Sequence, residues 1–68
     1  MTRPAFYFPS TLHVLTAFYN NGTTCVTAVA ALDEIDIETR RLQLPRPVLV
    51  DTWKREGASW VRGAQSWR

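Results

Sequence analysis

The chain has 68 residues, of which 46% are hydrophobic, 12% aromatic and 21% charged, and its net charge is +2. This composition is typical of a folded chain and excludes a disordered one. The single cysteine, Cys25, excludes an internal disulfide, and Cys25 with His13 lacks the spacing of a zinc site, so we expect no metal and no other cofactor.

We expect residues 1–68 to form one small domain. A chain this short buries only about 60% of its unfolded surface when it folds, so its stability should be low. Small domains without disulfides or metals often depend on oligomerisation, so a homo-oligomer is one expectation. No run approaches the roughly 18 apolar residues of a membrane span, and the first residues lack the apolar core of a signal peptide. The sequence therefore predicts no membrane span and a cytoplasmic location.

Charge is distributed unevenly along the chain. Residues 1–37 hold one arginine against three carboxylates, whereas residues 38–68 hold seven basic residues against three carboxylates. A basic half joined to a slightly acidic half indicates an anionic partner or self-association.

The first apolar segment, Ala5–Phe8, lies between Pro4 and Pro9 and contains three aromatic residues. Two flanking prolines favour a short edge strand or an extended arm and disfavour a helix.

Residues 10–32 fit two structures. Asn21-Gly22 is a strong signal for a two-residue hairpin turn, and it predicts a register with Phe18 opposite Cys25 and Val14 opposite Val29. The alternative is a pair of helices, the first capped by Ser10 and ending near Gly22. We favour the hairpin because Thr, Val and aromatic residues dominate the segment.

Residues 33–45 are also ambiguous. Apolar and polar residues alternate on both sides of residues 38–41, which permits a second hairpin, while a helix would start with Asp36 as its N-cap. The segment Pro45-Arg46-Pro47 forms a stiff connector in either case, and Asp51 is suited to cap a final helix.

The last segment, from Trp53 to Arg68, has a seven-residue repeat with tryptophans at 53, 60 and 67. Seven residues make almost two helical turns, so a helix would place the three indoles on one face, whereas a regular strand would alternate them between faces. Gly57 and Gly63 disfavour a helix by roughly 1 kcal/mol each, and a hairpin turning at Glu56-Gly57 is the competing structure.

These segments predict an α+β fold: a small domain of antiparallel β-hairpins with a C-terminal amphipathic, Trp-rich helix packed on the sheet. An all-α fold of three short helices is the alternative.

The chain shows no catalytic constellation. The predicted hairpin register places His13 and Cys25 on opposite faces, and there is neither a phosphate-binding glycine loop nor a nucleophile motif. We therefore expect that the protein is not an enzyme.

Three tryptophans within fifteen residues exceed what so small a core can hide, and Trp and Arg dominate interface hot spots. We expect a non-catalytic interaction protein, a small regulator or inhibitor that binds another protein stoichiometrically and is of the kind found in phages and other mobile elements. The expected contact residues are Trp60, Trp67, Arg55 and Arg62.

The alternative partner is nucleic acid, contacted by the basic residues Arg40, Arg41, Arg46 and Lys54. The segment from Val29-Ala30-Ala31-Leu32 to Arg41-Leu42 resembles a helix-turn-helix. Leu44-Pro45-Arg46-Pro47-Val48, followed by Trp60-Val61-Arg62 and Trp67, is similar to the wing and closing helix of excisionase-type winged-helix regulators. The resemblance covers about half of the chain and implies a small DNA-binding regulator, although Arg40 stands where that family has a buried aliphatic residue.

Overall fold

The computed structural model describes residues 10–68, so the predicted strand or arm at Ala5–Phe8 lies outside the described residues. Within the described range the elements are β1 (Thr11–Phe18), β2 (Thr24–Val29), α1 (Glu34–Arg41), β3 (Leu49–Glu56) and β4 (Ser59–Trp67). The four strands form one antiparallel sheet in the order β2-β1-β3-β4.

Strands β1 and β2 form a hairpin around Asn21-Gly22, but the predicted register is wrong by one residue. Phe18 lies opposite Thr24 rather than Cys25. The loop has five residues instead of two, closed by a hydrogen bond from the Tyr19 amide to the Thr23 carbonyl (2.9 Å). A side-chain turn favours the longer loop, because Asn21 Oδ1 accepts from the Thr23 amide at 3.1 Å. A one-residue slip exchanges the faces of all β2 side chains.

Residues 33–45, for which the sequence permits either a second hairpin or a helix, contain helix α1. It begins at Glu34, so the prediction that Asp36 is the N-cap is wrong. The Glu34 carboxylate accepts hydrogen bonds from the amides of Ala30 and Ala31, at 3.2 and 3.1 Å, and so stabilises the turn before the helix. Ile35 and Thr39, four residues apart, are the buried helix positions, which is the spacing of a single helical face.

The C-terminus of α1 is a Schellman motif with an unusual residue. The Leu44 amide bonds to the Thr39 carbonyl at 3.0 Å and the Gln43 amide bonds to the Arg40 carbonyl at 3.1 Å. Gln43 has φ +53°, the left-handed conformation that usually selects glycine. The motif turns the chain so that Leu44 is buried in the core.

The hydrophobic core lies between α1 and one side of the sheet, which we call the covered face. Leu15 and Val50 are cross-strand neighbours on this face, and Ile35 packs on them from the helix. Among residues 10–68, the core consists of Leu15, Ala17, Ile35, Leu44, Val48 and Val50. At about 25 cal/mol per Å² of apolar surface, this small cluster is the main source of folding energy among the described residues.

The C-terminal segment is not a helix, so the predicted fold class is wrong, and so is the all-α alternative. Residues 49–67 form the β3–β4 hairpin, which turns at Gly57-Ala58. Gly57 has φ +61°, a positive value that suits the first loop position of a type II′ turn. Asp51, expected to cap a helix, is instead a strand residue whose carboxylate accepts a hydrogen bond from the Gln65 amide group at 2.7 Å.

A β-bulge divides β4. Asp51 lies opposite Gln65 but Trp53 lies opposite Arg62, so two β4 residues, Gly63 and Ala64, share the single β3 position of Thr52. The extra residue changes the alternation of side chains along the strand. Beyond the bulge, odd-numbered residues occupy the face that even-numbered residues occupy before it.

The winged-helix resemblance does not extend to the fold. Residues 29–42 contain the end of β2 and a single helix of eight residues, where a helix-turn-helix needs two helices. Trp60 and Trp67, which the resemblance placed in a closing helix, lie in β4.

Candidate interaction surface

The sheet side opposite α1, which we call the open face, carries all three tryptophans. The registers show this directly, because residues opposite one another on neighbouring strands share a face: Leu12 is opposite Trp53, and Trp53 is opposite Arg62. The same reasoning assigns to this face Leu12, Val14, Thr16, Phe18, Thr24, Val26, Ala28, Leu49, Asp51, Trp53, Arg55, Trp60, Arg62, Gln65 and Trp67.

Two features of the β3–β4 hairpin, its turn and its bulge, place the three indoles on the same face of the sheet. The hairpin turn returns the chain so that Trp60 lies diagonally from Trp53, and the bulge places Trp67 on the same face as Trp60 despite their odd spacing. A regular strand would have separated Trp60 from Trp67. The helix prediction is therefore wrong, but the single aromatic face that it implied is present.

Much of this face is apolar and exposed. The exposed fraction is 59% for Trp67, 61% for Val26 and 49% for Phe18. The rings of Trp67 and Phe18 contact each other across the sheet, with centroids 6.0 Å apart and a tilt of 46°. Contiguous exposed apolar surface of this kind marks interaction sites in soluble proteins.

Arginines flank the indoles on the same face. Arg55 is opposite Trp60, and Arg62 is opposite Trp53. Within residues 10–68, neither guanidinium lies within ion-pair distance of a carboxylate. The four residues expected to contact a partner, Trp60, Trp67, Arg55 and Arg62, thus share one surface and retain free charge.

The four basic residues expected to contact nucleic acid do not share one surface in this way. Arg41 donates from two nitrogens to the carboxylate of Glu38, at 3.0 and 2.9 Å, and Arg46 donates to Asp36 at 2.7 Å. Arg40 is exposed on the helix, and Lys54 projects from the sheet side opposite to Arg55. Two of the four charges are therefore paired within the chain and are less available for phosphate.

These pairs also shift the ionisation of the acids. The hydrogen bond and charge of Arg46 hold the pKa of Asp36 below its ordinary value of 3.8. The pKa of Glu38 lies below 4.5 because its carboxylate accepts from Arg41 and from Thr27 Oγ1, the latter at 3.0 Å. In return, the hydrogen bonds and charge of Glu38 raise the pKa of Arg41 further above its ordinary value. The Thr27 bond connects α1 to β2, so this group of charges anchors the helix to the sheet.

His13 and Cys25 share the covered face, so their predicted placement on opposite sides is wrong. They remain apart, because Leu15 and Thr27 lie between them, and four residues of strand span about 13 Å. His13 is buried, with Nδ1 3.0 Å from the Thr52 hydroxyl. Residues 10–68 contain no pocket and no group of three potential metal ligands.

Sequence reasoning missed the contributions of Phe18, Val26, Leu49 and Val14 to the open face. The available signal was in β1, whose residues from Leu12 to Phe18 are largely apolar on both alternating sets. A strand with apolar residues on both faces needs a covering layer on each side, and α1 supplies one.

The chain matches no protein-family model, no curated protein and no solved structure. In the described part of the chain, α1 is too short to cross a membrane. The open face is therefore the feature of this protein that bears on its function.

Proposed function

We propose that this is a non-catalytic binding protein that acts by docking its open face onto another protein. The observation that carries the proposal is the placement of Trp53, Trp60 and Trp67 on one sheet face, with Trp67 more than half exposed. A fully buried indole removes about 150–250 Å² from water, so covering these rings is a strong driving force for association.

The geometry of the face suits a protein partner. Apolar residues such as Leu12, Val14 and Leu49 lie on its inner strands. Asp51 lies among them with its carboxylate held by Gln65, and charged groups such as Arg62 lie toward the β4 side. Interfaces commonly combine an apolar centre with a polar rim and place Trp and Arg at their energetic hot spots. A regulator or inhibitor that occupies its partner's surface can act in this way without a catalytic group.

The experiment compares matched alanine variants on the two sides of the molecule. The immobilised chain captures partners from its source cells, and the affinity of the purified partner is then measured by calorimetry. Trp60→Ala and Trp67→Ala should each weaken binding by about 10- to 100-fold, the cost of losing a hot-spot side chain.

The control is Ile37→Ala, because Ile37 is 65% exposed on the helix, away from the open face. This variant should bind as the parent protein does. If Ile37→Ala weakened binding and both tryptophan variants bound normally, the docking surface would be the helix and the proposal would be wrong.

A single-stranded nucleic acid is a second candidate, favoured by one observation: near the turn of the β3–β4 hairpin, arginines and indoles alternate on the open face, with Arg55 opposite Trp60 and Arg62 opposite Trp53. Such a surface can stack bases while neutralising phosphates. The candidates differ in salt dependence, since nucleic-acid binding through several arginines should lose orders of magnitude in affinity between low and physiological salt. A Trp-centred protein interface should change much less.

A further inference from the structure

The outer edge of β4 exposes a row of backbone hydrogen-bonding groups. Val48 and Arg68 exchange two backbone hydrogen bonds, at 2.7 and 2.9 Å, so Val48 is directed toward β4. The Arg55 amide bonds to the Ser10 carbonyl at 2.9 Å, so Arg55 is directed toward β1. Backbone groups alternate in direction along a strand, and both observations agree that odd-numbered β3 residues face away from β4.

The β4 partners of those residues must therefore direct their own amides and carbonyls away from β3. The four outward residues are Trp60, Arg62, Gln65 and Trp67. No strand within residues 10–68 pairs with them. The nine residues of β4 contain no proline and a single charge, Arg62, so the bulge is the main feature of this edge that restricts pairing with another strand.

The spacing of the outward groups decides which strand can pair with this edge. In a regular strand, outward groups recur at every second residue, but the bulge makes the intervals in β4 two, three and two. A regular peptide strand would match the edge on one side of the bulge and lose its register on the other. A partner with the same irregularity at its centre can match the whole edge.

A second copy of β4 has this property. The outward positions are symmetric about the point between Gly63 and Ala64. Trp60 corresponds to Trp67, the long polar Arg62 to Gln65, and the small Gly63 to Ala64, while Val61 corresponds to the unlike Ser66. An antiparallel strand pair around a two-fold axis brings such positions together. We propose that the protein forms a symmetric dimer in which β4 pairs with β4 of a second copy, with Trp60 opposite Trp67 of that copy.

The side chains fit this register. Arg62 lies opposite Gln65 of the second copy, so the two Arg62 guanidiniums are not directly opposed, and the small Gly63 and Ala64 occupy the axis. Trp60 beside Trp67 of the second copy forms an aromatic cross-strand pair at each end. The product joins the two described four-stranded sheets into one continuous sheet whose two open faces lie side by side. This dimer forms through the strand edge and does not depend on what the open face binds.

Disulfide trapping tests the register. The backbone amides and carbonyls of Val61 and Ser66 are directed toward β3. Val61 of one copy and Ser66 of the other would therefore form a non-hydrogen-bonded pair, with Cα atoms about 4.5 Å apart. Disulfide geometry accepts this distance. In a Cys25→Ser background, an equimolar mixture of Val61→Cys and Ser66→Cys chains should crosslink under mild oxidation. Either variant alone should not, because equal residues lie five positions out of register.

Sedimentation tests the role of the edge. The parent chain should sediment with a concentration-dependent mass rising toward twice its 7.8 kDa. Gln65→Pro removes an outward amide without removing a β3–β4 backbone hydrogen bond and should be monomeric, with circular dichroism showing that the sheet persists. The bond from the Gln65 side chain to Asp51 is lost in this variant and equally in its alanine counterpart. Gln65→Ala keeps the amide and should still dimerise.

Three results would overturn the proposal. One is a parent chain that stays monomeric over the whole accessible concentration range. Another is crosslinking of Val61→Cys with itself but not with Ser66→Cys, which would indicate a different interface. The third is hydrogen-exchange protection of the Arg62 and Gln65 amides that does not depend on concentration, which would show that the chain covers its own edge.

Discussion

The covered face and the open face belong to the same four strands, yet they differ in composition and exposure. On the covered face, Leu15 and Val50 are almost completely buried beneath α1, and polar groups such as His13 have hydrogen-bond partners. On the open face, side chains of similar or larger apolar area, Val26 and Trp67, remain more than half exposed. The difference indicates that folding depends on one face, while the other can be used for binding with little effect on stability.

Identical substitutions on the two faces should have very different effects. Val50→Ala removes two methyl groups from a packed site and should lower the free energy of unfolding by about 2–3 kcal/mol. Val26→Ala, at a position 61% exposed, should change it by less than about 0.5 kcal/mol. Urea unfolding followed by tryptophan fluorescence measures both. Equal losses would mean that the open face is packed in the folded protein.

The covered side can also be strengthened. Gln43→Gly should raise the free energy of unfolding by roughly 1 kcal/mol, because glycine adopts the positive φ at this position without the steric cost that a side chain incurs. Gln43→Ala serves as the control, since alanine removes the amide group but retains the Cβ. If alanine stabilised the protein as much as glycine, the left-handed conformation would not be the cause.

Deleting Ala64 tests the geometry of the open side. The deletion removes the extra residue of the bulge and leaves Trp60 and Trp67 six positions apart, an even spacing that keeps both on one face of a regular strand. We expect the free energy of unfolding to change by less than about 1 kcal/mol, with Trp67 still exposed to acrylamide quenching. A strongly blue-shifted, unquenchable Trp67 signal, measured in a background with Trp53 and Trp60 replaced by phenylalanine, would contradict the bulge.

Acid should weaken the two ion pairs of α1, and we expect this to be the smallest of the four effects because the ion pairs are exposed. The pKa values of Asp36 and Glu38 are lowered in the folded state, so their contribution is present above the ordinary values of 3.8 and 4.5. It is lost as the pH falls through the lower, folded values. Stability should therefore decline below about pH 4.5, as measured by urea unfolding at several pH values.

The matched variant for this prediction is Glu38→Gln, which retains an acceptor for Thr27 but cannot ionise. Its decline between about pH 5 and pH 3 should be shallower than that of the parent chain. A decline of unchanged steepness would place the acid sensitivity elsewhere in the molecule.

Local patterns in the sequence predict some elements and fail on others for identifiable reasons. Asn21-Gly22 correctly indicates a hairpin, but the Asn21 side chain closes a longer loop and shifts the register. The spacing of seven between the tryptophans predicts a helix, because two turns of a helix place residues seven apart on the same face. A turn and a bulge achieve the same placement, and the glycines that weakened the helix prediction lie at these two places.

The candidate surface was predicted in part. Trp60, Trp67, Arg55 and Arg62 were expected to act together, and the structure places them on one face. In contrast, Arg41 is paired with an acid three residues away and Arg46 with an acid ten residues away. A charge count cannot distinguish a free arginine from a paired one. The Arg41 pair requires the helix, and the Arg46 pair depends on where the chain turns after α1.

The sequence by itself determined a small domain-like composition, a hairpin at Asn21-Gly22 and a concentration of indoles and arginines near its end. Only the tertiary structure decided that those indoles lie on strands, that one side of the sheet is covered, and that β4 has an outer edge with matching halves. The physical reason is that strand pairing joins residues distant in sequence. Local propensity therefore leaves the register undecided, and a single extra residue such as the one at the bulge decides which face every later side chain occupies.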